Sequence, residues 1–293
     1  MKMNDYIKLV DRKLDEYIQI ETPENLFKSM KYTVTLPGKR LRPVMCLEIC
    51  RILGGKTEDA LPTACAIEML HAQTLIHDDL PCMDNDDFRR GKPTNHKVFG
   101  EAIATLAGDA LLTYAPQIIT KYSNNLAPET IVKILNEYFN YAGARGVIGG
   151  QVADIESEGN LDNIQNKQEV LEFIHIHKTS DLFQLSMRTG AIIAGANEEK
   201  LNAITDFAKK FGLAFQIADD ILDEISTFEQ MGKTLGKDKQ SGKLTYVSLY
   251  GLDDAKCKLA CTLKECRDII EKQNIESEIF EDIIQKIQKG AEI

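Results

Sequence analysis

Apolar residues recur at intervals of three and four along most of this chain, and this spacing constrains the fold more than any other feature. It is the spacing of the buried face of an α-helix, whereas the alternation of two that marks a half-buried strand is scarce. Glycine and proline punctuate the pattern, and Gly149 with Gly150 indicate a bend or a close approach of two backbones. The clearest helical segments are residues 4–18, 43–53, 59–80, 101–115, 129–139 and 200–223. We therefore predict an all-α helical bundle.

The length and composition favour one structural unit. The chain has 293 residues, of which 43% are hydrophobic, so it can bury a large core. No stretch rich in proline, glycine and serine separates two compositions, and no repeat of fixed period is present. We predict a single domain over residues 1–293.

The charge balance limits the partners that we expect. With 35 basic and 45 acidic residues the net charge is −10, which disfavours general attraction to nucleic acid or to an anionic membrane. The longest uncharged run, residues 110–120, has 11 residues, whereas a helix needs about 20 to span a bilayer. The first residues lack the apolar core of a signal peptide. We expect no nucleic-acid partner, no membrane span and a cytoplasmic location.

The seven cysteines argue against a zinc site and a disulfide framework, because they form no CxxC pair and are odd in number. Two pairs, Cys46 with Cys50 and Cys257 with Cys261, are spaced four apart and share a helix face. We interpret them as reduced packing residues.

Two dense clusters of aspartates each end a helical pattern. The first cluster comprises Asp78, Asp79 and Asp84, and the second comprises Asp219, Asp220 and Asp223. Carboxylates at this density repel one another, and the C-terminal end of a helix disfavours negative charge further. Compensating cations are therefore expected, and hard oxygen ligands favour Mg²⁺ bridged to substrate phosphates.

Basic residues lie close to both clusters in the sequence. They are Lys39, Arg40 and Arg42, then Arg89, Arg90 and Lys92, and later Lys178, Lys233, Lys237 and Lys243. Arginine binds phosphate through two parallel hydrogen bonds, and lysine acts as a point charge. Any one of them could be a solvated surface charge, but the set predicts a cavity that binds two diphosphates.

These motifs resemble those of the trans-isoprenyl diphosphate synthases, the short-chain polyprenyl synthetases that make farnesyl and geranylgeranyl diphosphate. The likeness covers most of the chain. It runs through GKRLRP at Gly38, HAQTLIHDDLPCMDNDDFRRGKPTNH, GDALL at Gly108, GGQ at Gly149, HKT at His177, FQIADDILD and GKLTY at Gly242. The resemblance implies a bundle of about ten core helices around a deep central cavity, paired as a homodimer.

The resemblance also implies a role for each matching residue. Three Mg²⁺ ions would bind the allylic diphosphate through Asp78, Asp84 and Asp219, with Asp223 also counted among the metal-site residues and Asp79 and Asp220 supporting the site. The allylic site would be completed by Arg89, Lys178, Thr179, Gln216, Lys233 and Lys243. Isopentenyl diphosphate would be held by Gly38, Lys39, Arg42, His71 and Arg90. Of these, Arg89 and Lys178 join Asp78, Asp79, Asp84, Asp219 and Asp220 as the residues expected to be catalytic.

The expected reaction needs no protein nucleophile. Metal ions and cationic side chains stabilise the departing diphosphate, and the double bond of isopentenyl diphosphate attacks the allylic cation. A proton is then lost to the released diphosphate. We assign no catalytic base to His77, His96, His175 or His177, and the role of His71 rests on the resemblance.

Product length depends on the residues that precede the first cluster. Gln73 lies five residues before Asp78, about 7 Å deeper along a helix, where a growing chain would meet it. Family members that stop at the C15 product usually have an aromatic residue there, whereas this chain has Gln73 followed by Thr74. The prediction is geranylgeranyl diphosphate, with farnesyl diphosphate as the alternative if a bulky side chain from a neighbouring helix closes the tunnel.

Two other classes of protein share part of this pattern. A class I terpene cyclase would ionise the same substrates, but it would not need the second diphosphate site predicted at Lys39, Arg42 and Arg90. A regulatory subunit of a heteromeric synthase often loses one aspartate cluster, and both are present here. The segment from Cys46 to Cys50 resembles a CxxxC element that some plastid-type synthases use for partner contact, so heteromeric association is compatible with activity.

Overall fold

The computed structural model describes residues 1–160, 163–225 and 243–291, and these residues are predominantly helical. The helices are α1 Met3–Tyr17, α2 Glu24–Val34, α3 Leu41–Ile52, α4 Thr57–Asp78, α5 Asn95–Phe99, α6 Glu101–Tyr122, α7 Pro128–Ala142, α8 Val147–Ser157, α9 Lys167–Ile174, α10 Asp181–Ile193, α11 Glu198–Ile225, α12 Tyr246–Tyr250, α13 Leu252–Gln273 and α14 Glu278–Gly290. A π-helical turn, His175–Ser180, joins α9 to α10. Two short antiparallel strands, β1 Phe88–Arg89 and β2 Lys92–Pro93, pair in the loop after α4. The all-α prediction is confirmed.

Helix α4 lies at the centre of the bundle. It is apolar on every side, with an unbroken buried run from Ala60 to Leu70, which is the pattern of a helix surrounded by others. Its neighbours are α1, α2, α3, α6 and α10. Small buried side chains such as Ala64 and Ala72 allow these helices to approach closely. The helix ends at Asp78, so the central element of the core delivers the first aspartate cluster to one end of the bundle.

The second half of the bundle is built on aromatic packing between α10 and α11. Phe183 of α10 contacts Phe211 and Phe215 of α11, with ring centroids 5.2 and 5.3 Å apart. Phe207 extends the cluster to Phe280 of α14. Aromatic pairs at these distances are worth about 1 kcal/mol each beyond their buried area. The packing fixes α11, which carries the second aspartate cluster, against α10 and its π-helical turn.

Several helix boundaries differ from the sequence-based prediction. The predicted segment 59–80 is α4 from Thr57 to Asp78, and the segment 101–115 continues to Tyr122. Helices α2, α5, α8, α9, α10, α12, α13 and α14 were not among the predicted segments. Helix α14 buries Ile279, Phe280, Ile283 and Ile284, which recur at intervals of three and four, so its apolar spacing sufficed to predict it.

The cysteine predictions hold for some positions and fail for others. Cys46 and Cys50 are completely buried in α3, where the Cys46 thiol lies 3.7 Å from the Thr189 hydroxyl of α10. The packing interpretation is therefore confirmed for Cys46 and Cys50, and heteromeric association stays a prediction. Cys257 and Cys261 are exposed, so the packing interpretation is wrong for that pair.

One described helix, α6, has the length and mean hydropathy of a membrane span. Its apolar window is 44% buried against neighbouring helices, and a core helix of a bundle has the same composition. The absence of a membrane span stays a prediction.

Candidate active site

The first aspartate cluster is formed by the end of α4 and the turn that follows it. The backbone N–H of Asp84 donates to the carbonyl of Asp78 at 2.9 Å, which brings these two residues together across the turn. Asn85 adopts a left-handed φ of 49° at this turn, a conformation that asparagine tolerates better than most residues. Burial raises the pKa of Asp78, the Lys178 ammonium lowers it and the Asp84 carboxylate raises it further. The pair is therefore poised to gain from a bound cation.

Asp79 pairs with Arg89, whereas Asp78 lies near Lys178 and Asp84. It is 2% exposed and accepts hydrogen bonds from Nε and Nη2 of Arg89, at 3.0 and 2.5 Å. Burial raises its pKa to about 6, although the bonds from Arg89 lower it. Arg89 also reaches Asp86 at 3.4 Å. Asp79 thus orients Arg89, which fits a supporting role better than direct metal ligation.

The second cluster lies near the end of α11, and its middle aspartate is also engaged by the protein. Asp220 is 5% exposed and accepts from the Gln216 side chain at 2.9 Å and from the backbone N–H of Tyr246 at 2.8 Å. His175 Nε2 lies 3.5 Å from the same carboxylate. Gln216 in turn accepts a hydrogen bond from the Thr179 hydroxyl at 2.5 Å. Asp220 therefore anchors α11 to α12 and to the π-helical turn.

The outer aspartates of this cluster, Asp219 and Asp223, lie on partly exposed positions of α11. Asp220 and Asp223 line a cavity of about 170 Å³ together with Glu224 and Lys243. This arrangement leaves Asp219 and Asp223 as the carboxylates on the accessible side of the helix.

Lys243 joins the two clusters across one cleft. Its ammonium lies 3.3 Å from Asp84 of the first cluster, and the same side chain lines the cavity of Asp220 and Asp223. It also lies 3.2 Å from Glu158 at the end of α8. Residues separated by more than 130 positions in the sequence thus face the same space.

Asp154 of α8 is a site residue that the sequence analysis missed. It is 5% exposed, forms an ion pair with Lys178 and lies 3.9 Å from Lys243. It lies three residues after the GGQ motif in a helix that also carries Glu156, so no sequence signal singles it out. Nothing in that spacing identifies its two lysine partners, which come from other elements.

The π-helical turn places Lys178 and Thr179 at the edge of the cleft. A Cβ atom on Gly150 would lie 2.2 Å from the backbone nitrogen of Lys178, so only glycine allows α8 to approach the turn this closely. The close approach predicted at Gly149 and Gly150 is confirmed at Gly150. π-helical segments occur often at functional sites because they change which side chains face a cavity.

A second pocket, of about 440 Å³, lies beside the cleft and is strongly basic. It is lined by Gly38, Lys39, Arg40, Arg42, His71 and Arg90, together with Pro37, Leu41, Glu68 and Phe215. Arg42 Nη1 lies 3.3 Å from His71 Nε2, while Arg42 Nε and His71 Nδ1 are buried without a hydrogen-bond partner among the described residues. Burial and the neighbouring Arg90 lower the pKa of Arg42 to about 10, and burial and Arg42 lower the pKa of His71. Such a pocket is built to receive an anion.

Arg40 has a structural role although it stands between Lys39 and Arg42. Its guanidinium is 3% exposed and donates to Asp11 at 2.7 Å and to Glu68 at 2.6 Å. Gly38 makes room for the guanidinium of Arg90, since a Cβ on Gly38 would lie 2.7 Å from Arg90 Nη1. In the GKRLRP segment, Arg40 therefore stabilises the fold, while Lys39 and Arg42 line the pocket.

The two residues predicted to set product length lie on different faces of α4. Gln73 is 6% exposed, and its Nε2 lies 3.1 Å from His77 Nδ1. Thr74 is partly exposed, and its hydroxyl donates to the His71 carbonyl at 2.9 Å. Lys233, predicted for the allylic site, and Lys237 lie outside the described residues.

Asp78, Asp84, Asp219 and Asp223 suit Mg²⁺ by chemistry, since their carboxylates are hard oxygen donors at partly exposed positions. Within the described residues, no three acidic, histidine or cysteine side chains already converge as a closed metal cage. Lys178 and Lys243 lie among these carboxylates instead, which limits their mutual repulsion.

This chain is similar in sequence and in fold to proteins of known name. A dimethylallyltranstransferase of Fischerella ambigua (strain UTEX 1903) is 48% identical over 258 residues, which are 88% of this chain and 74% of that protein. A geranylgeranyl diphosphate synthase of Cyanophora paradoxa is 44% identical over 263 residues, covering 90% and 87% of the two chains. The solved structure of a Helicobacter pylori geranyltransferase, complexed with magnesium and isoprenyl diphosphate, superposes with a TM-score of 0.84 at 30% identity and covers 98% of this chain and 95% of that one.

The helical bundle, its paired aspartate clusters and these relatives define a prenyltransferase that acts on prenyl diphosphates. Residues 23–287 match the family model described as polyprenyl synthetase. The chain therefore belongs to the polyprenyl synthetase family, and the resemblance read from its motifs is confirmed.

Proposed function

We propose that this chain is a Mg²⁺-dependent synthase that condenses isopentenyl diphosphate with allylic diphosphates and releases all-trans geranylgeranyl diphosphate. The observation that carries the proposal is the presence of two separate anion sites. One is the cleft where Lys243 lies between Asp84 and the second aspartate cluster, and the other is the basic pocket around Arg42 and His71. A bimolecular condensation of two diphosphates needs both sites, whereas a cyclase needs only the first.

The allylic diphosphate fits the cleft between the aspartate clusters. Asp78, Asp84, Asp219 and Asp223 are the residues that would hold three Mg²⁺ ions there. When bound, Mg²⁺ neutralises the charge that develops on the leaving diphosphate. The relatives named above support a metal requirement, and the number of ions is part of this proposal.

Lys178 and Lys243 are placed to bind the leaving diphosphate once the substrate enters. In this structure both are paired with carboxylates, Lys178 with Asp154 and Lys243 with Asp84. These pairings hold the ammonium groups at the edge of the cleft before binding. Thr179 and Gln216, which are hydrogen-bonded to each other, supply neutral contacts beside them. Positioned cations in a cleft that excludes water stabilise developing negative charge strongly.

Isopentenyl diphosphate fits the second pocket. Arg42 has an unpaired Nε and a guanidinium packed 4.8 Å from the Phe183 ring, so it is positioned before the ligand arrives. Arg90 and Lys39 add charge at the rim. Phe215 lines the same pocket and belongs to α11, one turn before Asp219, so the bound homoallylic carbon chain can face the allylic site. The proton lost after condensation passes to the released diphosphate.

The product length is proposed from the polar, non-aromatic pair Gln73 and Thr74. At about 7 Å below Asp78 along α4, Gln73 does not present an aromatic barrier to a chain that grows past it. The alternative is farnesyl diphosphate, which a bulky side chain from a neighbouring helix would give by closing the tunnel.

The direct test is product analysis with isopentenyl diphosphate and each allylic starter. We expect dephosphorylated products to be mainly geranylgeraniol, and a dominant farnesol peak would refute the C20 assignment. Incubation with an allylic diphosphate alone should release no hydrocarbon. A cyclase would release hydrocarbon under that condition.

A homodimer is also part of the proposal, supported by apolar side chains that the monomer leaves exposed. On α7 and α8 these are Val132, Phe139, Ile148, Val152 and Ile155, which are 44–58% exposed. Light scattering after gel filtration should give twice the mass of one chain. Val152→Glu is expected to shift the protein towards the monomer, and an unchanged mass would count against this face.

A cytoplasmic location stays a proposal and can be tested by cell fractionation.

A further inference from the structure

We propose that His77 is a positioning residue for product length, because it holds the side chain of Gln73 out of the path of the growing prenyl chain. The inference rests on the proposed C20 synthase activity and adds a residue to it. His77 precedes the first metal-site aspartate, but its imidazole turns away from the cleft and towards α6.

The contacts of the imidazole form a bridge between α4 and α6. His77 Nε2 lies 3.1 Å from the carbonyl oxygen of Thr105, and His77 Nδ1 lies 3.1 Å from the amide nitrogen of Gln73. The carboxylate of Asp109 lies 3.8 Å from Nε2. Both ring nitrogens are thus occupied, and the Gln73 amide is tied to the side of α4 that faces α6.

The chemistry of the partners fixes the direction of both hydrogen bonds. A carbonyl oxygen can only accept, so the proton is on Nε2 when it bonds to Thr105. Nδ1 is then an acceptor, and it receives the N–H of the Gln73 amide. The bridge therefore has Nε2 as its donor and Nδ1 as its acceptor.

Gly108 provides the space that the ring occupies. A Cβ atom at this position would lie 2.1 Å from His77 Nε2 and 2.4 Å from Cδ2, closer than any side chain tolerates. The glycine of the GDALL motif is thus explained by the imidazole that packs on it. A ring seated in this slot cannot move freely, which gives Gln73 a fixed acceptor.

The consequence for the prenyl chain follows from the position of Gln73 on α4. Its side chain is 6% exposed, so an amide that lost its acceptor would be buried with an unpaired N–H group. The amide would turn towards the cleft to recover a partner, and it would then stand in the path of a chain extending below Asp78. Release of Gln73 should therefore shorten the product.

The test uses product ratios from a set of four variants. His77→Phe keeps a ring in the Gly108 slot but removes both hydrogen bonds. His77→Asn keeps an acceptor, because its Oδ1 stands near the position of Nδ1. Gln73→Ala removes the side chain that would be released, and the double variant Gln73→Ala with His77→Phe completes the cycle.

We expect His77→Phe to lower the ratio of C20 to C15 product by roughly fivefold, the factor that one neutral hydrogen bond is worth. His77→Asn should lie closer to the unmodified protein. In the Gln73→Ala background, His77→Phe should leave the ratio unchanged, since no amide remains to be released. A ratio rather than a rate is measured, so a general loss of activity beside Asp78 does not imitate the effect.

Two outcomes would overturn the inference while the proposed function stands. In one, the unmodified protein makes C20 and His77→Phe makes C20 in the same ratio. In the other, His77→Phe shortens the product equally with Gln73 and with Ala at that position. An unmodified protein that stops at C15 would refute the proposed C20 product. It would also refute the premise that a chain can grow past Gln73.

A second measurement is independent of turnover. Nitrogen-15 chemical shifts of His77 should report a proton on Nε2 and an accepting Nδ1, and the Nδ1 shift should change in Gln73→Ala. A ring that carries its proton on Nδ1 in the substrate-free protein would contradict the bridge.

Discussion

Arg42 and Arg40 stand two residues apart and should respond in opposite ways to the same substitution. Arg42 faces the basic pocket with a buried Nε that has no hydrogen-bond partner among the described residues. Arg40 is buried and pairs with the buried carboxylate of Glu68 and the exposed carboxylate of Asp11. We predict that Arg42→Met makes the protein more stable and less active, whereas Arg40→Met makes it less stable.

The expected gain from Arg42→Met comes from the cost of burying a charge. Burial lowers the pKa of Arg42 to about 10 from an ordinary value near 12.5, and this difference corresponds to about 3 kcal/mol against the charged form in the folded state. The contact of the guanidinium with the Phe183 ring returns ~1 kcal/mol, which the variant loses. The free energy of unfolding should therefore rise by about 2 kcal/mol at pH 7.

Arg40→Met provides the matched control. It removes the same side chain but leaves Glu68, which is 3% exposed, without its nearest cation. Breaking a buried ion pair by removing one partner costs about 3 kcal/mol or more. The free energy of unfolding should fall by that amount.

The effect on activity separates the two substrate sites. Hydrogen bonds to a charged group are worth about 1.5–3 kcal/mol, so Arg42→Met should raise KM for isopentenyl diphosphate by about tenfold to a hundredfold. KM for the allylic substrate should change little, because Arg42 lies outside the cleft between the aspartate clusters.

Urea denaturation followed by circular dichroism measures the first effect, and steady-state kinetics with each substrate varied in turn measures the second. An Arg42→Met protein that unfolds at lower urea concentration would refute the account of its burial. An unchanged KM for isopentenyl diphosphate would refute the assignment of the pocket.

Three further predictions concern the carboxylates and the metal. Asp78→Ala and Asp219→Ala should each abolish turnover while the helical circular dichroism spectrum is kept, and near-normal activity in either variant would contradict the metal assignment. Removal of divalent ions by a chelator should stop product formation without unfolding the bundle, and added Mg²⁺ should restore it; activity that survives dialysis against chelator would argue against the mechanism. Burial raises the pKa of Asp181 to about 6 in the folded state, despite the hydrogen bond from His177. As pH falls, this carboxyl is protonated near pH 6 in the folded protein but only near pH 4 in the unfolded chain, and protonation removes the cost of burying its charge. The unfolding free energy of the unmodified protein minus that of Asp181→Asn should therefore rise by about 3 kcal/mol between pH 7 and a pH below 4. A difference that does not change with pH would refute the burial of that charge.

The helical class and the ends of the two principal helices could be predicted from residue spacing. Apolar intervals of three and four identify a buried helix face, and α4 and α11 follow this rule over many turns. Helix α14 was missed although its buried residues recur at the same intervals. A spacing of four also places Cys46 and Cys50 on one face of α3, but it does not tell whether that face is buried or exposed.

The division of labour within each aspartate cluster could not be predicted from the sequence. Asp78 and Asp79 are neighbours of the same type, yet one faces Lys178 and the cleft while the other is held by Arg89. Asp154 gave no signal of its own because its partners, Lys178 and Lys243, come from other elements of the fold.

By itself, the order of residues determined that this chain forms helices, that two of them end in acidic clusters, and that arginines and lysines follow in its motifs. Local spacing suffices for this, because side chains three and four apart share a helix face whatever surrounds the helix. Only the packing of the bundle decided which carboxylates are tied to a cation and which face the cleft. Ion pairs and buried hydrogen bonds form between residues that tertiary packing brings within about 3 Å, and no sequence interval specifies that distance.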